Sequence, residues 1–170
     1  MADEIINKIA QSGIITIDLE TFYPKEEITV IDLTDFLFMG QILKEKHFRE
    51  QLSNIDWSLY QDKMVVITLS TDTLIPHWAY MLLSSLLEPF ASVIHIGTKD
   101  SFIEKTILSN ISEQIAPEKY TDARIVVKGC GDKTIPASAY GLITYMLRPT
   151  AKSIMYGEPC STVPVYKKKA

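Results

Sequence analysis

This sequence predicts an α/β fold with a mostly parallel sheet, and three observations predict it. Short apolar or β-branched runs alternate with longer amphipathic stretches along the chain. Several of those runs are continuously apolar, as in strands covered on both faces. Two strand–helix–strand segments, residues 64–97 and 124–157, match one another without a gap at an offset of 60. The expected architecture is a single three-layer Rossmann-like domain over residues 1–170, internally duplicated.

The elements follow in order. Residues 1–26 read as a polar lead-in with one short strand in Gly13–Leu19, "GIITIDL". Ile28–Leu37 opens as a buried strand, β-branched through Ile31, before Asp32 and Asp35 appear. Ile42–Leu52 carries apolar residues at 42, 43, 48 and 52, a helical stripe. Met64–Ser70 is a continuous apolar strand. Ile75–Leu87 is helical, with Pro76 near its first turn and Pro89 past its end. Ser92–Gly97 is a strand, and the helix after it starts from Asp100 or Ser101. The stretches "ARIVVKG", "IPASAYGLITYML" and "AKSIMYG" then give strand, helix, strand.

In the repeat, Ile75-Pro76 matches Ile135-Pro136 and Ala79-Tyr80 matches Ala139-Tyr140. Pro89 matches Pro149 and Gly97 matches Gly157. Two such units, wound with right-handed crossovers, are expected to bring their first strands side by side. That juncture would be a topological switch point with a crevice beyond the strand C-termini. The loops Ser70–Asp72 and Cys130–Asp132 would line it, each preceding a helix N-terminus that attracts anions and favours thiolate. Ser70, Asp72, Gly131, Asp132 and Ser161 are the candidate ligand-binding residues.

Composition narrows the function classes. A chain of 170 residues is long enough to bury a proper core. With 17 Lys and Arg against 21 Asp and Glu, its net charge is −4, which gives no nucleic-acid footprint. The Lys167-Lys168-Lys169 tail reads as a solvated end. No apolar run reaches membrane-spanning length and the N-terminus lacks a signal pattern. A cytoplasmic location, no nucleic acid and no membrane are therefore expected. Two cysteines make no disulfide framework.

Cys130 and Cys160 are expected just beyond two neighbouring strands, about 5 Å apart. Each also has a plain reading as a small buried apolar residue. Together they are candidate metal ligands, although zinc usually takes four and no CxxC spacing is present. As a candidate catalytic set, Cys130 would be the nucleophile with His77 or Glu158 as base. His95 reads as a hydrogen-bonded core histidine, and His47 as lying on a solvated face.

The stretches "ILKEKHFR", "DWSLYQDK", "IPHWAYML", "VVKGCG" and "SIMYGEPCSTVPVYK" resemble the domain of unknown function 2480 family across nearly the whole chain. The family has no established activity. Its resemblance implies a neighbourhood of iron–sulfur cluster assembly, with Cys130 and Cys160 as its motif cysteines. Three readings stand at this point. One is an accessory factor of iron–sulfur or sulfur metabolism, holding zinc, iron or sulfur and partnered by iron–sulfur assembly proteins. The second is a thiol-dependent enzyme. The third is a non-catalytic homodimeric interaction module.

Overall fold

The structure is a computed structural model that describes residues 13–129, 131–158 and 160–169. Cys130 and Pro159 lie outside the described residues. The architecture is mixed α/β, with four α-helices among the described residues and mostly parallel strands in two sheets. The chain forms two compact units. The first joins residues 1–23 to 104–170, and the second is the continuous segment 24–103.

The second unit holds β2 (Ile28–Asp32), β3 (Met64–Thr68) and β4 (Val93–Ile96), all parallel, in the order β2-β3-β4. Helices α1 (Glu45–Ser53) and α2 (His77–Leu87) make the crossovers. Phe48 and Leu52 of α1, and Ala79, Leu83 and Leu87 of α2, join one buried cluster with Ile31, Val65 and Ile67. Alternate residues of a strand face opposite ways, so both helices cover the Val65 and Ile67 face. Met64 and Val66 face the other way, against Phe102. Phe102 belongs to α3 (Lys99–Gln114), the helix that leads from one unit into the other.

The first unit holds β1 (Ile14–Asp18), β5 (Arg124–Lys128), β6 (Ser153–Glu158) and β7 (Ser161–Lys167), in the order β1-β5-β6-β7. The first three are parallel and β7 runs antiparallel to β6. Helix α4 (Ala137–Leu147) crosses from β5 to β6 and buries Ala139, Ile143 and Leu147.

The expected side-by-side placement of β3 and β5 is corrected. β3 lies between β2 and β4, and β5 between β1 and β6. The reason lies in the early chain. Each copy of the repeat takes its own N-terminal strand as a neighbour, β2 for one and β1 for the other, so neither needs the other's first strand.

The offset of 60 recurs in the backbone. The 3-10 turns Trp57–Tyr60 and Pro117–Tyr120 are equivalent, as are α2 and α4, each preceded by a proline, Pro76 or Pro136. Asp62 and Asp122 both take a left-handed conformation, φ 58° and 54°. Each donates its amide over 2.9 Å, to Phe90 O and Thr150 O respectively. A second offset, of 14, relates β1 to β2. Ile14 pairs with Arg124 as Ile28 pairs with Met64. Asp18 and Asp32 then cap the 3-10 turns Leu19–Phe22 and Leu33–Phe36, accepting from Glu20 N at 3.0 Å and Thr34 N at 2.9 Å.

The two units differ after their last parallel strand. In the second unit the chain passes into α3. In the first, β6 ends at Glu158 and β7 returns antiparallel to it from Ser161. Gly157 permits this, because at φ 114° an added Cβ would lie 2.6 Å from Ser161 O. Pro164 is tolerated because β7 is an edge strand.

The left-handed position of Asp62 makes a testable point. Asp62→Gly should leave stability unchanged or raise it by up to ~1 kcal/mol, whereas Asp62→Val should lower it by at least ~1 kcal/mol. Thermal melts of the two variants check this. Equal melting of Asp62→Val and the natural protein would exclude the turn as a conformational constraint.

Candidate functional site

β1, β5 and β6 bring Asp18, Lys128 and Glu158 to one edge of the first unit's sheet. Asp18 and Lys128 are register partners. The Lys128 ammonium lies 3.2 Å from Asp18 Oδ2 and 3.7 Å from Glu158 Oε1. The hydrogen bond and charge of Asp18, then the charge of Glu158, hold its pKa above the ordinary lysine value. All three side chains are partly exposed, so the triad contributes little to stability. Its effect is to fix a cation between two carboxylates at the edge.

The loop after β5 is clamped from two sides. Gly129 is buried, and a Cβ there would lie 2.6 Å from Tyr140 Oη, 3.2 Å from Ile135 Cγ1 and 3.3 Å from Leu19 Cβ. The Gly131 amide donates to Glu20 Oε1 at 2.5 Å. The Lys133 ammonium sits over the Tyr23 ring, 4.6 Å from its centroid. The residues on either side of Cys130 are therefore held by the Leu19–Tyr23 segment and by α4. Cys160 occupies the β6–β7 turn and is an exposed free thiol, with Glu158 and Ser161 closing the hairpin as its last pair.

The second unit builds the equivalent edge from hydroxyls. Asp32 Oδ1 accepts from Thr34 N and from Ser70 N, the latter at 3.2 Å, and Thr34 Oγ1 lies 3.2 Å from Ser70 Oγ. Partial burial works against the Asp32 charge. The hydrogen bonds from Ser70 and Thr34 outweigh it and hold the carboxyl below its ordinary pKa.

The nine candidate residues thus divide. Gly131, Asp132, Glu158, Cys160 and Ser161 lie in the first unit, and Ser70, Asp72 and His77 in the second. Cys130 lies outside the described residues. The crevice expected between Ser70–Asp72 and Cys130–Asp132 depended on β3 beside β5, and that pairing does not form. The Cys130–His77 pair loses the same support, and His77 is exposed in the first turn of α2. By contrast, β5 and β6 are the parallel neighbours expected of the strands that lead to Cys130 and Cys160. His95 hydrogen-bonds with Ser101 Oγ at 3.1 Å, as expected, but it is half-buried and not a core residue. His47 is half-buried with its ring edge-on to Phe38, 5.7 Å between centroids.

Sequence reasoning passed over Asp18, Glu20 and Lys128. A signal for Asp18 was present, since "IDLETF" at 17–22 matches "IDLTDF" at 31–36 and sets Asp18 against Asp32. Among the described residues no group of three or more His, Cys, Asp or Glu is poised to hold a metal. No described helix is long and apolar enough to cross a membrane.

Fold and site define a two-unit α/β protein with an exposed thiol at the C-terminal edge of one sheet. The chain belongs to the family described as Protein of unknown function (DUF2480), whose model matches residues 3–168. No curated protein and no solved structure matches it.

Two outcomes follow from these contacts. The nearest atoms that an added Cβ at Gly131 would meet all belong to the Glu20 carboxylate. Gly131→Ala should therefore cost about 1–2 kcal/mol in the natural protein, through the displaced hydrogen bond to a charged acceptor. In a Glu20→Ala background the same change should be neutral or stabilising by about 0.5 kcal/mol. A double-mutant cycle by denaturant melts reads this, and strict additivity would refute the clamp. For Asp32, a folded-state pKa below the unfolded one contributes stability above the unfolded pKa, lost as pH falls through the folded one. Asp32→Ala should thus be less stable near neutrality, by about 1 kcal/mol through the lost cap. The gap should narrow through the acidic carboxylate range, and a gap that stays constant across that range would contradict the assignment.

Proposed function

We propose that the β5–β6 edge of the first unit is a two-thiol site, through which the protein handles a soft metal ion or sulfur as an accessory factor in iron–sulfur cluster or sulfur metabolism. One observation carries this reading. The strands leading into Cys130 and Cys160 are parallel neighbours in register, so both cysteines follow strands that end at the same edge. The exposed Cys160 thiol is open to a partner. Thiolates select soft ions such as zinc, iron in clusters or cuprous copper. Two thiolates fall short of a closed structural zinc site. An open pair suits a site that passes its cargo on to an iron–sulfur assembly protein. Asp132 and Glu158 are the nearby carboxylates available to complete a coordination sphere.

We also read the two units as copies of one β-strand–helix winding, Rossmann-like in its crossovers, that arose by internal duplication. The recurrence of turns, caps and left-handed aspartates at an offset of 60 supports this. On that reading Ser70 stands where the first unit has Cys130, so the thiol chemistry belongs to one copy.

The test is metal content and thiol reactivity on anaerobically purified protein, for the natural sequence, Cys130→Ala and Cys160→Ala. The expected result is bound or added zinc or iron whose affinity drops at least about tenfold in either variant. Sulfur transfer instead of metal storage would appear as a persulfide on one cysteine, lost in its variant. Thiols that react like a free model thiol, in a protein that takes up neither metal nor sulfur, would overturn the proposal.

A further inference from the structure

We infer that the opposite, N-terminal edge of the first unit's sheet is a docking surface for an acidic peptide segment of a partner protein, anchored by an apolar side chain. The pairing of β6 with β7 gathers its cations. Ser153 is the register partner of Lys167, and the Lys168 amide donates to Lys152 O at 2.9 Å. The lysine tail expected to be a solvated end is in this way tied to the sheet. Lys152, Lys167, Lys168 and Lys169 line an open cavity of about 960 Å³ with Asp122 as its single acidic residue. Arg124 joins Lys152, Lys167 and Lys168 around an adjoining cavity of about 470 Å³. That second cavity has apolar walls in Ile14, Met155, Pro164 and Tyr166.

The charges are poorly balanced where they stand. Lys168 pairs with Asp122 at 3.2 Å. Among the described residues, Lys152, Lys167 and Lys169 have no carboxylate within ion-pair distance. Five cations therefore face one anion in a chain whose net charge is −4. For Arg124 and Lys152, the second unit shows that the backbone does not need the charge. At the offset of 60, Met64 stands for Arg124 at the start of its strand and Ser92 for Lys152 just before its strand, with equivalent turn hydrogen bonds from Ser92 N to Lys63 O and from Lys152 N to Ala123 O. Like charges gathered without a structural need oppose folding through mutual repulsion and mark a surface suited to an anionic partner.

The mixed character of the surface selects the partner class. Neither a nucleic acid backbone nor a membrane surface needs an apolar-walled cavity beside the lysines. A peptide rich in Asp and Glu with one large apolar side chain matches both features: carboxylates to the lysines, the apolar group against Met155, Pro164 and Tyr166. This inference is independent of the thiol site, which lies at the other end of the same strands.

The experiment uses the full chain and a fluorescent, glutamate-rich short peptide with a central Phe, measured by anisotropy at low and physiological salt. Binding should weaken as salt rises. The triple variant Lys152→Glu, Lys167→Glu, Lys168→Glu should bind at least about tenfold more weakly. Lys25→Glu, Lys46→Glu, Lys105→Glu, equal in charge but elsewhere, should retain most of the affinity. Exchanging the peptide's Phe for Ala should also weaken binding. Circular dichroism melts verify folding, and the corresponding Lys→Gln triple, free of new repulsion, should show the same loss if the Glu variant does not fold. No binding at low salt, or equal loss in the two Glu triples, would overturn the inference. So would single-stranded DNA or phosphatidylserine vesicles binding more tightly than the peptide through the same lysines.

Discussion

Right-handed crossovers that step the same way across a sheet must lay their helices on the same face, and this constraint shapes each unit. In the second unit the path β2, β3, β4 steps steadily in one direction, so α1 and α2 share the Val65 and Ile67 face. A doubly wound sheet needs a reversal of that direction, and with it comes a switch-point crevice. Neither set of strands reverses. The switch-point crevice expected between β3 and β5 therefore has no counterpart within either unit.

The first unit builds a sheet edge with small means. Gly129 lets the chain leave β5 against Tyr140 and Leu19, and Gly131 brings a backbone amide onto Glu20. A side chain at either position would open the loop. Lys128 meanwhile sits between Asp18 and Glu158 and keeps the ends of three adjacent strands electrostatically joined. Glu158 therefore carries two constraints, its ion pair with Lys128 and its place as the last residue of β6 before the turn that bears Cys160.

Local signals made most elements legible. Apolar continuity located β3 and β5, and prolines bracketed α2 and α4, because these are properties of a few adjacent residues. Strand order was not legible, since it depends on which distant strand reaches an edge first. That was decided by Ile14–Asp18, a strand five residues long in a segment otherwise polar. β7 was hidden for a different reason: Pro164 breaks the hydrogen-bonding pattern of a strand, and only its edge position makes it admissible. Of the site, the adjacency of the strands that precede the two cysteines was readable from the strand–helix–strand pattern. Glu20 was not, because its partner Gly131 lies 111 residues away.

The two units supply an internal control that a single sheet would not. Where equivalent positions share a residue type, as at Asp62 and Asp122 or Ala79 and Ala139, the backbone accounts for the choice. Where the chemistry differs while the backbone does not, folding is a poor explanation. Thr68 stands opposite Lys128, Thr71 opposite Gly131, Ser92 opposite Lys152 and Met64 opposite Arg124. These differences collect at the two ends of the first unit's strands and leave its buried middle nearly unchanged, with Val65, Val66 and Ile67 answering to Ile125, Val126 and Val127. A buried middle alike in the two units, with rims that differ, is what separate demands on stability and on binding would produce. Both proposed sites lie on these rims, where the two units differ while their backbones correspond.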